Sequence, residues 1–419
     1  MKPGSSGAGS RFGSLGRALA QRDAQLFFAA SVVSWTGLWV HRIAVAWLAW
    51  ELTASAFWVG MVAFSDLAPA VVFSPIAGAI ADRVDRVKLT MASQAVIAVE
   101  AATVATTLAT GHLSIGLLLL LEMTSGTAAS FAQPARQSLM PALVPRAELP
   151  AAVACNSLCF SVARLIGPAI AGPLIAWGGV VPAVALNACA YAFACLSMLG
   201  LRVDAAERRG HAPEGSMLAE VMAGFRYVGR HPGIRPLLIF AATASVLMRG
   251  VQEILPPYVE RLFHRGPDGL AMLTAAIGLG ALFAGLWVAN RGRLTGATAL
   301  SVGAVAVQAV ATVGFVATGY FPFALLCAAV LGAAASVHGI STQTLMQSAA
   351  DHSMRGRVLS LWGMVTRACP ASGALALGTA GEVFGLRMPT IIAMLLALGV
   401  AAWAAGRLPV MVRELEVPH

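Results

Sequence analysis

Twelve unbroken apolar runs dominate the sequence, at about residues 24–49, 57–80, 89–110, 114–135, 151–176, 181–201, 236–258, 269–289, 297–318, 322–345, 357–381 and 388–407. Each is long enough to cross a hydrocarbon layer as a helix, which takes about 20 apolar residues. With no water in that layer, every backbone N–H and C=O must bond within its own segment, and a helix meets that demand. The runs lack period-two alternation, which excludes a β-barrel. Charged residues make up 11% of the chain and the mean hydropathy is +0.77. A soluble interior cannot hide that much apolar surface, so a soluble enzyme and a disordered chain are both excluded. The fold class is an all-α polytopic membrane protein with twelve transmembrane helices in two six-helix halves. The first run is too long for a signal peptide and lacks a small-residue cleavage site, so it reads as a retained span.

Basic residues set the orientation. With both termini in the cytoplasm, 21 of the 28 basic residues fall in cytoplasmic segments and three, Arg261, Arg265 and Arg387, on the other side. That asymmetry matches the rule that basic loops stay cytoplasmic. The net charge of +9 is therefore loop charge and does not point to nucleic acid. The resulting organisation is a tail over 1–23, a six-helix half over 24–201, a cytoplasmic linker over 202–235, a second half over 236–408 and a tail over 409–419. Within the linker, Ser216 to Arg230 has apolar residues at helical spacing, which predicts an interfacial helix packed under the bundle. All six cysteines lie in apolar runs without metal-ligand spacing. No disulfide, metal or cofactor is expected. There is no phosphate-binding loop, HExxH pattern or nucleophile–base pair, so the chain reads as neither an ATPase nor another enzyme.

An internal repeat joins the halves. Ser157-Leu158, Val162 and Arg164 align with Ser360-Leu361, Val365 and Arg367 at a constant offset that also carries Glu148 onto Asp351. A same-orientation repeat of six plus six implies two halves related by an axis along the membrane normal.

More specific motifs accompany it. The loop after span two reads Gly78-Ala-Ile-Ala-Asp82-Arg83-Val-Asp85-Arg86-Val-Lys88. It resembles the GxxxDRxxRxK signature of the major facilitator superfamily, with Asp85 departing from the glycine usual there. Gln133-Pro134 to Leu149, Gly167-Pro168 to Gly172-Pro173, and Arg355-Gly356-Arg357 resemble the branch that contains the enterobactin exporter. The likeness covers roughly residues 24–408.

The resemblance implies a cavity lined by spans one, four, seven and ten. It also implies a cytoplasmic latch in which Asp82, beside Gly78, holds the positive N-terminal end of span eleven. Arg136 is a plausible cationic partner for Asp82, while Arg83 and Arg86 are already explained by topology. The two Gly-Pro steps of span five, Gly167-Pro168 and Gly172-Pro173, should bend that span and let it pack closely. They resemble the motif of proton-antiport exporters.

The ionisable residues within spans are Asp66, Glu100, Glu122 and Glu253 against Arg42, Arg164, Arg249 and Arg367. Equal counts suggest pairing, because a lone charge in hydrocarbon is costly. Arg249 and Glu253 are one helical turn apart and can meet directly. A carboxylate that exchanges partners is a natural proton carrier, and Asp66, Glu253 and Glu122 are the candidates; static salt bridges would explain them equally well. Glu100, on a span the resemblance places outside the cavity, reads as structural. His338 reads as a hydrogen-bonding core residue and His41 is ambiguous. Trp35, Trp39, Met123, Met248 and Met346 are expected to give the cavity a partly apolar lining.

Together these readings describe a secondary transporter of the bacterial cytoplasmic membrane, monomeric and working by alternating access. Its partners are the lipid bilayer, protons and a small-molecule substrate. An exporter of amphipathic compounds such as siderophores or drugs leads; a proton-coupled importer and a non-transporting receptor on the same fold are the alternatives.

Overall fold

A computed structural model of the chain describes residues 21–145, 148–203, 217–351 and 354–416; within these, the side chains of residues 74, 75, 78, 79, 81, 82, 150 and 217–221 lie outside the description. The first six spans are α1 (Arg22–Thr53), α2 with α3 (Ala56–Leu67 and Pro69–Arg83), α4 (Arg86–Ala109), α5 (Ile115–Leu139), α6 (Leu149–Gly178) and α7 (Val180–Met198). Helix α8 (Met217–Arg230) follows. The last six spans are α9 with α10 (Ile234–Glu253 and Leu255–Phe263), α11 (Pro267–Arg291), α12 (Ala297–Ala317), α13 (Phe321–Ala349), α14 (Arg355–Phe384) and α15 (Arg387–Gly406), and the short α16 (Leu408–Leu415) comes after them. Among the described residues, eleven helices are long and apolar enough to cross a membrane. The twelfth, α14, is 30 residues long but carries Arg355, Arg357, Arg367 and Glu382.

Two spans are broken, each at proline. Pro69 has no N–H to give the Ser65 carbonyl, so α2 ends and α3 begins beside Ala68. Pro256-Pro257 act likewise: the helix stops at Glu253, Ile254 leaves helical geometry, and α10 resumes with proline in its first turn, where a missing N–H does no harm. The prolines of span five do not interrupt it. Pro168 and Pro173 lie inside a continuous α6. Asp85 begins α4 by accepting the backbone N–H groups of Val87 (2.9 Å) and Lys88 (3.1 Å), a cap that the usual glycine cannot provide.

The packing repeats. In the first half α1 packs on α6 and α7, α5 on α4 and the second span, and α4 on α7. The second half repeats all five pairings: α9 on α14 and α15, α13 on α12 and α11, and α12 on α15. Even the closest helix approaches correspond. A Cβ on Gly126 of α5 would strike the backbone of Asp66, and one on Gly332 of α13 would strike that of Ile277. Between halves, α2 packs on α14 and α6 on α11, which are equivalent pairs under the same repeat.

Helix α8 lies against the first turn of α14: Val228 is buried and the Asp351 N–H donates to the Tyr227 hydroxyl (3.1 Å). Met222 and Phe225, on its other side, are exposed. Glu416, just past α16, accepts the N–H groups of Gly296 (2.6 Å) and Thr298 (2.8 Å) and so caps α12.

Candidate functional site

The intramembrane charges fall into two groups. The first lies inside the first half. His41 of α1, Glu100 of α4 and Glu122 of α5 are each less than 5% exposed, and one donor atom from each lies within 4.8 Å of the others. His41 Nε2 and Glu122 Oε1 are 3.0 Å apart. The His41 Nδ1 and both Glu100 carboxylate oxygens are buried without a hydrogen-bond partner. Two carboxylates around one imidazole leave an excess negative charge even when the imidazole is protonated. In hydrocarbon that excess is removed by a further proton or by a bound cation, and an imidazole with two carboxylates is a donor set that suits either.

The second group lines a cavity between the halves. Its walls are Trp39, Arg42, Ile43 and Ala46 of α1, Arg164 of α6, Arg249, Gln252 and Glu253 of α9, Leu255 and Pro256 of α10, and Leu270, Thr274 and Ile277 of α11. It is partly open to solvent. Arg42 donates to Asp66 at 3.2 Å, and both side chains are partly exposed. The guanidinium groups of Arg42 and Arg164 stand 5.6 and 5.4 Å from the centre of the Trp39 ring. Arg367, from the repeat partner of α6, lies within electrostatic reach of Asp66 and Arg42.

Several expectations need correction. The spans facing this cavity are one, five, seven and eight, with span four absent from the lining; span ten lines a neighbouring cavity with spans seven, nine and eleven. The cause is local. Gly167 lets α6 close on Trp39, and Gly172 lets it close on Ala271 of α11, so span five reaches the cavity wall beside spans one and eight. Trp39 and Met248 line the two cavities, but Trp35 packs against Phe160 and Arg136, Met346 is fully buried, and Met123 is half-exposed outside both. Among the described residues Arg249 and Glu253 form no ion pair within 4 Å, although both lie in α9 one turn apart. Glu100, read as structural and outside the cavity, lies outside both linings, within the buried triad.

Arg136 is buried and directed at α1: it donates to Ser31 Oγ (2.6 Å) and lies over the Trp35 ring at 4.6 Å. The side chains of Gly78 and Asp82 lie outside the description, as do the N-terminal tail before residue 21 and most of the linker. Arg83 is exposed, and Arg86 donates to the Ser138 carbonyl (3.2 Å). His338 lies 2.9 Å from Ser301 Oγ, as a hydrogen-bonding residue, but it is only partly buried and lines the neighbouring cavity.

One cluster had no signal in the motifs. Where α1 meets α2, the Trp50 indole donates to Glu260 of α10, and Arg261 donates to the Ala54 carbonyl (2.9 Å) while lying over Trp50. Glu382 of α14 accepts the Ala56 N–H (3.0 Å) and approaches Arg261 at 3.9 Å. These contacts fasten the two halves together at the Trp50 end of the bundle. Ala54 stands in left-handed geometry (φ 47°), turning its carbonyl toward Arg261.

Comparison with known proteins places this arrangement. A profile of the transmembrane secretion effector family matches residues 17–418. The chain is 27% identical over 407 residues to the multidrug efflux pump Tap of Mycolicibacterium fortuitum, covering 94% of this chain and 97% of the pump. It is 25% identical to the staphyloferrin A transporter of Staphylococcus aureus, covering 86% and 90%. It is 26% identical to the enterobactin exporter EntS of Citrobacter koseri, covering 82% and 81%. Among solved structures, it superimposes with a TM-score of 0.71 and 14% identity on a bacterial homologue of the lysosomal transporter Spinster, covering 94% and 98%. A peptide transporter gives a TM-score of 0.75 at 12% identity, covering 95% and 96%.

Proposed function

The chain belongs to the transmembrane secretion effector family, of the major facilitator type, and from that premise we propose a proton-coupled exporter of amphipathic small molecules in the bacterial inner membrane. The observation that carries the proposal is the Arg42–Asp66 pair at the cavity edge, one residue along α1 from the buried His41–Glu122–Glu100 cluster. The two charge systems share a helix, so a change in one bears on the other. A proton on Asp66 releases Arg42 into the cavity; loss of that proton draws it back. The neighbouring triad takes up the one further proton that its excess charge calls for, and Glu253 supplies a carboxylate within the cavity itself.

Both termini lie in the cytoplasm, and the Trp50 end faces outward. In this conformation the outward end is fastened through Glu260, Arg261 and Glu382. Release of those contacts, with closure of the Asp82 end around α14, completes alternating access. The efflux named for the multidrug pump relatives supports the outward direction. Full-length protein in inside-out vesicles tests the proposal: an imposed pH gradient drives accumulation of ligand, and a protonophore abolishes it. Accumulation that ignores the gradient refutes proton coupling, and loss of cellular uptake on deleting the protein refutes export.

A further inference from the structure

The four-to-four balance of intramembrane charge in the sequence conceals a spatial imbalance. Glu100 and Glu122 are spent on His41 inside the first half. The cavity is left with Arg42, Arg164 and Arg249 against Glu253. Asp66 answers Arg42 at 3.2 Å, and Arg367 adds a further cation beside that pair. One carboxylate, Glu253, is therefore left for Arg164 and Arg249 on the same cavity wall. Like charges brought together at the centre of a membrane protein are costly unless an anion sits between them.

The unused hydrogen-bonding capacity has the same sign. Trp39 Nε1 and Arg249 Nε are buried without a partner, as is the Gln252 side-chain amide nitrogen, and all three residues line this cavity. An indole and a guanidinium can only donate. The one hydroxyl of the lining, on Thr274, is occupied by the Leu270 carbonyl (2.8 Å). Around these donors the wall is apolar, formed by Ile43, Ala46, Leu255, Pro256, Leu270 and Ile277.

We propose that the cavity binds an anionic amphipathic substrate, whose carboxylate or comparable oxyanion sits between Arg164 and Arg249 and whose apolar body lies against Trp39. This rests on the reading of the cavity as the transport site and names the substrate class. Guanidinium groups suit the task because they present planar paired donors to a carboxylate. A cationic amphiphile would meet the same surplus positive charge and find no free carboxylate beyond Glu253.

The test uses one scaffold in three charge states with the purified full-length protein in lipid nanodiscs. Dansylglycine carries a carboxylate, its primary amide is neutral, and the dansyl derivative of ethylenediamine carries an ammonium. Dansyl fluorescence is expected to report binding of dansylglycine at least ten-fold tighter than of the amide, with the ammonium probe weakest. Arg249→Gln should weaken dansylglycine ten-fold or more and the amide less than two-fold, and Arg249→Lys should restore part of the loss. If Arg249→Gln does not fold, Arg164→Gln is read by the same criterion. Equal or tighter binding of the amide or ammonium probe overturns the proposal. So does a uniform loss for all three probes in the arginine variants, or no saturable dansylglycine binding up to millimolar concentration. Tight, arginine-dependent binding without gradient-driven flux in vesicles would overturn the exporter reading and leave the anion site standing.

Discussion

In the first half, α1, α4 and α5 bring an imidazole and two carboxylates together; in the second, the repeat partners of those helices bring an imidazole and two hydroxyls. His338 of α13 lies 2.9 Å from Ser301 Oγ of α12, Ser301 lies 2.9 Å from Thr342, and Phe240 of α9 stands edge-on to the imidazole. The packing of the two triplets of helices is equivalent, yet one interior is ionisable and the other neutral. The hydroxyl–imidazole cluster contains no carboxylate, and its two hydroxyls and His338 Nδ1 are hydrogen-bonded. The carboxylate cluster has unpartnered oxygens and surplus charge, so its state depends on what binds to it. The contrast puts the surplus buried charge in the first half and an uncharged hydrogen-bonded frame in the second.

Removing the two histidines breaks this comparison most directly. His41→Ala leaves two buried carboxylates without a counter-charge and should destabilise the protein by about 3–5 kcal/mol, as expected when one partner of a buried ion pair is deleted. His338→Ala strands a hydroxyl and should cost about 1–3 kcal/mol. Unfolding of the purified protein in detergent measures both. Equal losses would mean that the two interiors do the same structural work.

Glu100→Gln sharpens the contrast by separating stability from coupling. The amide keeps the shape and removes the second of two carboxylates that share one imidazole, so stability should hold or rise by about 1 kcal/mol. Gradient-driven export should nevertheless fall by ten-fold or more. Vesicle flux with and without a pH gradient, beside the melting temperature, checks both halves of the statement. Intact coupling in this variant would remove Glu100 from the proton path.

The twelve spans, their order and the Pro256-Pro257 break were legible in the sequence because each rests on a local property: length, apolarity, or a missing N–H. The triad was not. His41 and Glu122 lie 81 positions apart, and α1 and α5 are apolar on more than one face, so periodicity does not reveal which way a lone polar residue points. The same limit hid the imbalance of cavity charge: the sequence shows how many acids and arginines there are, not which helix face each occupies. The place of span five at the cavity follows from contacts of Gly167 and Gly172 with other helices, which no local pattern encodes. The Trp50-end fastening was missed because Glu260, Arg261 and Glu382 sit at span ends, where charge is ordinary.

A smaller effect is expected at that fastening. Glu382→Gln weakens charge-assisted contacts to the Ala56 N–H and Arg261, at about 1 kcal/mol for groups partly open to solvent. A shift of that size moves a two-state equilibrium several-fold. Spin labels at Leu52 and Val383, both exposed on opposite halves, should show the longer-distance population rising accordingly. An unchanged distribution would place the hold between the halves in the α2–α14 packing instead.

The smallest effect should come from Glu416→Gln, which asks whether charge in the second half matters at its rim. Glu416 caps α12 through the Gly296 and Thr298 N–H groups, so its carboxylate sits at the positive end of that helix. Glutamine keeps one accepting oxygen and loses the charge. The expected cost is about 0.3–1 kcal/mol, the usual size of a charge–dipole contact at a helix end. It should shrink in high salt, because the site is at the surface, whereas the cost of His41→Ala should be insensitive to salt because that cluster is buried. Melting both variants at low and high ionic strength makes the comparison. A Glu416→Gln loss as large as that of His41→Ala, and equally salt-independent, would show that the second half also depends on a buried charge and that the division between an ionisable half and a neutral one is wrong.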